Sequence, residues 1–226
     1  MMEFTLSKIN LLILAIALFA IIVGFAFSFR STLLYDISKN IANSSAETIS
    51  RVVSQKALCD SQEIAFRRKY SFYNLMDFYY VVELRKETSS GANKQHLIIA
   101  ILERNEYLKR RGTPTVVSSS QLDLDAELQI FSYDQKEALL CPTERTVLDV
   151  RSAPIPIDQL TAVHEIYKGK SYLYLIPCST TAKGICEQNK QLVGCYLYRK
   201  RKDISNCFNV DIADCESRSV PTCWGV

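Results

Sequence analysis

From Ile9 to Phe29 the chain runs for 21 residues without a charge, and only Asn10, Gly24 and Ser28 interrupt its apolar and alanine side chains. A helix needs about 20 such residues, at 1.5 Å each, to cross the hydrocarbon core of a bilayer. Lys8 and Arg30 bracket the run. A secretory signal peptide has a shorter apolar core, roughly 7–15 residues, behind a positive start. The leader here, MMEFTLSK, holds one acid and one base, although Gly24-Phe25-Ala26 would serve as a small-x-small cleavage site. The length of the run favours a retained membrane anchor.

The cysteines set the orientation. They stand at Cys59, Cys141, Cys178, Cys186, Cys195, Cys207, Cys215 and Cys223, none in the apolar run and six between 178 and 223. Without a CxxC pair, zinc ribbons, thioredoxin-like redox sites and c-type haem attachment have no support. An even set in a tail behind a hydrophobic segment reads as a disulfide framework in an oxidising compartment. The positive-inside comparison of Lys8 with Arg30 and Lys39 is nearly balanced, so the cysteines decide for N-terminus inside and C-terminal domain outside. That orientation also exposes Asn43-Ser44-Ser45, a glycosylation sequon about 21 Å past the apolar run on a straight helix. Spacing leaves the connectivity open; a Cys59–Cys141 bridge, tying helix to sheet, is one of the possibilities.

Neither Gly nor Pro occurs between 31 and 58, and Leu34, Ile37, Ile41, Ile49, Val52 and Val53 recur at helical spacing with Ala42 and Ala46 between them. One helix is therefore expected from Lys8 to Leu58, apolar all round in its first half and striped in its second. The stripe packs either on the chain's own ectodomain or on other copies of the chain. The expected layout is a cytoplasmic leader at 1–8, a transmembrane helix at 9–29, a juxtamembrane amphipathic helix at 30–60 and an extracytoplasmic domain at 61–226.

Phe4-Thr5-Leu6 directly before a long apolar helix resembles the start of type IV pilins and pilin-like proteins. The resemblance covers about 30 residues and implies assembly through the N-terminal helix. Glu3 stands where that pattern has the glycine of the peptidase site, and Ser7-Lys8 where it has an acid. The chain is also similar to single-span proteins of small-genome archaea that combine an "FTLSK(I/L)NLLIL" start with a Cys-rich end, a likeness that implies no activity.

From about residue 70 the pattern becomes that of strands. DFYYVVELRKE (77–87) and KQHLIIAILER (94–104) are β-branched and aromatic runs joined by the polar loop 88–93. AELQIFSYD (126–134) places Leu128, Ile130 and Ser132 on one face; RTVLDV (145–150) and KSYLYLIPC (170–178) complete the strands, the last ended by Pro177. Pro154 and Pro156 ahead of IDQLTAVHEIYKG, closed by Gly169, predict a helix. GICEQNKQLVGCYLY predicts another, which would point Cys186 and Cys195 apart. The fold class is α+β: a long N-terminal transmembrane and amphipathic helix, then an antiparallel-sheet ectodomain with a disulfide-rich part at 178–223.

Chemistry is sparse. His96 and His164 lack HExxH or HxH spacing, no GxSxG occurs, and the acids of QLDLDAE lack the glycine and distal glutamate of a calcium loop. No cofactor, metal or catalytic residue is expected. Charge is near balance, 27 Lys+Arg against 24 Asp+Glu, which disfavours nucleic acid as a partner. Three basic clusters, Arg67-Arg68-Lys69, Lys109-Arg110-Arg111 and Arg199-Lys200-Arg201-Lys202, could meet an anionic surface glycan or lipid headgroup if they converged. The expectation is a non-enzymatic structural or binding protein at the cell surface, anchored in the membrane, with a pilin-like subunit and an extracytoplasmic enzyme as the alternatives.

Overall fold

The computed structural model describes residues 2–72, 76–88, 95–108, 116–137, 139–205, 207–218 and 221–224. Helix α1 (Met2–Ser54) is continuous for 53 residues. The chain then forms β1 (Cys59–Ala65), β2 (Tyr70–Phe72), β3 (Met76–Phe78), β4 (Tyr80–Thr88) and β5 (Gln95–Glu103). A short α2 (Arg104–Leu108) precedes β6 (Val116–Leu124), β7 (Glu127–Asp134), β8 (Leu139–Thr143), β9 (Arg145–Asp149), β10 (Gln159–Tyr167) and β11 (Lys170–Cys178). Helices α3 (Lys183–Arg201) and α4 (Ile212–Ser217) and a 3-10 turn at Thr222–Trp224 complete the described elements.

The strands make a five-stranded sheet in the order β1-β10-β11-β7-β8, a four-stranded sheet β6-β5-β4-β9, and a small β2-β3 ribbon. Every pair is antiparallel except β11 with β7. The α+β class with mainly antiparallel sheets is as expected. The expected strands at 77–87, 94–104, 126–134, 145–150 and 170–178 correspond to β4, β5, β7, β9 and β11, while loop 89–94 lies outside the described residues. Pro177 does not end its strand. It sits beyond the last rung between β11 and β7, Leu175 opposite Ile130.

Two apolar clusters flank the five-stranded sheet. On one side, Leu160, Ala162, Leu173 and Leu175 meet Leu84, Ile99 and Ile101 of the four-stranded sheet, together with α1. On the other, Val163, Tyr174 and Ile176 meet Val193, Tyr196 and Leu197 of α3, Phe208 and Trp224. Close packing fixes one glycine there. A Cβ on Gly194 would lie 2.8 Å from Phe208 Cβ and closer still to Val210 Cγ1, so α3 needs a bare backbone to receive the C-terminal segment.

The helix expected at 157–169 is a strand. All of Gln159–Val163 is buried, as are His164 and Glu165, because β10 is central and covered on both faces. Such a strand is apolar without alternation and can imitate helical spacing. Gly169 is not a helix stop: Lys168 (φ 49°) and Gly169 (φ 76°) form a two-residue hairpin turn, whose positive φ values suit the twist of the flanking strands. The long helix also stops earlier than expected, at Ser54, and Cys59 opens a strand that extends along the β10 edge.

Candidate functional site

Helix α1 divides at Arg30. Ile9–Phe29 is almost wholly exposed, with Leu11, Phe19 and Phe25 each more than two-thirds open. By length and composition the helix can cross a membrane. Beyond Arg30, Leu34, Ser38, Ile41, Ala42, Ser45, Ala46, Ile49 and Val52 turn inward and are buried. They recur every three or four residues, one face of a helix, and pack on β6, β5, β1 and β10. Ile37 and Val53 flank them, half-buried. All six expected packing residues therefore lie against the chain's own domain, the first of the two expected arrangements. At the junction Arg30 pairs with Glu103 at 3.8 Å. Asn43 is exposed, but Ser45 of its sequon is buried.

All eight cysteines stand in pairs at disulfide distance: Cys59–Cys207, Cys141–Cys223, Cys178–Cys186 and Cys195–Cys215. The Cys59–Cys141 alternative is thereby overturned. Cys59 opens the edge strand β1, within reach of the loop after α3, whereas Cys141 lies on β8, against the Thr222–Trp224 turn. Cys186 and Cys195 do not pair with each other, as their positions on one helix predict. The four bridges fasten the C-terminal segment to both edge strands of the five-stranded sheet, to β11 and to α3.

In the two described basic clusters several charges are engaged within the chain itself. Arg199 donates to the carbonyls of Cys215 and Arg218, Arg201 is enclosed against Glu165, Arg68 pairs with Asp158 and Lys69 with Asp77. Lys109-Arg110-Arg111 lies outside the described residues. Among the described residues no group of three His, Cys, Asp or Glu is placed to hold a metal. His96 Nδ1 instead lies 2.7 Å from Asp123 Oδ1 across the β5–β6 ladder, so QLDLDAE is a solvated strand end.

One polar cluster was invisible in the sequence. His164 is 2% exposed, and its Nε2 lies 2.7 Å from Ser171 Oγ on the adjoining strand. Asp60 of β1 stands opposite His164 in the ladder. His164 Nδ1 and Asp60 Oδ2 are both buried without a hydrogen-bond partner among the described residues. Burial pushes the His164 imidazole below its ordinary pKa, while the Asp60 charge acts the other way. A helical reading of 157–169 hid this cluster, because only the β1–β10–β11 pairing brings the three side chains together.

No protein-family model, curated protein or solved structure matches this chain.

Proposed function

We propose that the chain is a single-pass membrane protein, N-terminus inside, whose disulfide-stapled α+β domain stands outside the membrane in a structural or binding role at the cell surface. The observation that carries this reading is the division of α1 at Arg30: an uncharged half with its side chains bare, continuous with a half buried in the domain. The bare half, about 31 Å long, matches the thickness of a bilayer core. In water it would expose a contiguous apolar surface far larger than soluble monomers carry. With no break between the halves, α1 is a stiff mast that fixes the distance of the domain from the membrane. The paired cysteines support placing the domain in an oxidising space. Alkaline carbonate washing of membranes tests the anchor. The protein is expected in the pellet, and release into the supernatant would sink the reading.

A second reading, a pilin-like subunit assembling through α1, draws support from the same unbroken helix lying on antiparallel strands with its apolar half protruding. With Leu34 and Ile41 buried in the chain's own core, this reading assigns the assembly surface to the protruding half. Filaments visible by electron microscopy and abolished by Phe19→Asp would favour it; their absence from producing cells counts against it.

A further inference from the structure

Asp60, His164 and Ser171 lie on three adjacent strands and on one face of the five-stranded sheet. The ladder sets Asp60 opposite His164, and His164 opposite Leu173, two residues along β11 from Ser171. Leu160, Ala162, Leu173 and Leu175 share this face, which α1 covers. At the C-terminal end of α1, Ser171 lines a surface cavity of about 270 Å³ with Ser50, Val53 and Ser54 of α1 and Asp123 and Asp125. Ser171 thus stands at the cavity wall, with the buried His164 imidazole against its hydroxyl.

Protonation follows from the hydrogen bonds. If Ser171 donates to His164 Nε2, the ring proton sits on Nδ1, a buried donor with no acceptor; on the ladder position opposite, Asp60 Oδ2 is a buried acceptor with no donor. Two orphans of complementary sign, on strand positions that face each other, suit a state in which the ring becomes positively charged. In the resting state burial keeps the imidazole neutral, which is the form that accepts a proton. The C-terminus of α1 also presents the negative end of its dipole toward this side.

We propose that Ser171 is an acyl-transfer nucleophile, with His164 as its general base and Asp60 as a positioning residue that steadies the imidazolium. Ser171 Oγ bonds to the carbonyl carbon of an ester or amide as His164 Nε2 takes the hydroxyl proton. The bond to the leaving group then breaks, the leaving group takes that proton, and an acyl-Ser171 remains. Water repeats the sequence in reverse roles, releasing the acid and restoring the hydroxyl. Asp123 and Asp125 at the cavity rim select substrates that carry positive charge beside the scissile carbonyl. The inference is independent of how the apolar half of α1 is housed.

The test is covalent labelling of the full chain in detergent micelles by fluorophosphonate probes of opposite charge, with the modified peptide mapped by mass spectrometry. The expected adduct is on Ser171, forms faster with the cationic probe, and slows in acid as His164 protonates, at a pH below the ordinary imidazole range. His164→Gln is expected to slow it about 100-fold or more. Asp60→Asn is expected to slow it about tenfold and to move its pH midpoint downward, which a purely structural aspartate would not do. Absence of a Ser171 adduct in the wild-type chain overturns the proposal whether or not the variants fold. An adduct rate indifferent to pH and to His164→Gln in folded protein overturns it equally, and equal labelling by both probes overturns the charge selection.

Discussion

Arg201 Nη1 lies 2.7 Å from Glu165 Oε2, with the two side chains 10% and 1% exposed, so the last turn of α3 is bound to the C-terminal part of β10 by an enclosed ion pair. The remaining oxygens are provided for: Ser205 Oγ donates to Glu165 Oε1 at 2.6 Å, and Tyr174 OH donates to Glu165 Oε2 at 2.9 Å and accepts from Arg201 Nη2. The guanidinium also faces the rings of Tyr167 and Tyr172, 4.3 and 4.5 Å from their centroids. Removing one member of such a pair leaves a buried charge without compensation. Arg201→Met is therefore expected to cost about 3–5 kcal/mol, and adding Glu165→Leu to recover most of it, measured by urea unfolding in micelles. Equal destabilisation by the single and double changes would contradict this.

The two halves of α1 should respond oppositely to truncation. Ile49→Ala removes a fully buried side chain and should destabilise the domain by about 2–5 kcal/mol. Ile16→Ala, in the exposed half, should leave the unfolding midpoint of the domain unchanged.

Gly194→Ala tests the contact of α3 with the C-terminal segment. Its methyl would press on Phe208 Cβ and Val210 Cγ1, so alanine's better helix propensity should be outweighed by overpacking of about 1–3 kcal/mol. Gly184→Ala in the same helix meets nothing within 4 Å and should stabilise by up to about 1 kcal/mol. Thermal unfolding of the two variants gives the comparison.

Acid stability should fall in two separate windows. The folded state binds a proton at His164 less readily than the unfolded chain does, so its contribution is complete above about pH 6.5 and declines as pH falls toward the lower folded value. Asp77 is exposed, but hydrogen bonds from Ser71, Tyr79 and Lys69 hold its pKa down from 3.8 to about 2. Its contribution stays intact until about pH 4 and is lost between there and about 2. Unfolding free energy measured against pH should lose the slope that begins below about pH 6.5 in His164→Gln, and only its lowest part in Asp77→Asn.

The features legible in the sequence are those with a local signature. The uncharged run at 9–29, the buried stripe from Leu34 to Val53 and the alternating or β-branched strands β4, β5 and β7 each declare themselves through composition or period. Strand β10 does not, because burial on both faces erases the alternation that marks a half-exposed strand. Strand β6, VVSSSQLDL, is serine-rich and gains its strand character from pairing with β5 and from the α1 that covers it. Disulfide partners such as Cys59 and Cys207 are 148 positions apart, and their meeting depends on where β1 and the loop after α3 come together. For the same reason Asp60, His164 and Ser171 carry no linear motif.

The most direct measurement is the number of thiols that react with an alkylating agent in carbonate-washed membranes, before and after reduction. A domain held outside the membrane by α1 and closed by four bridges predicts none before reduction and eight after, with the protein in the membrane pellet. Eight reactive thiols before reduction, or a protein washed free of the membrane, would contradict the account.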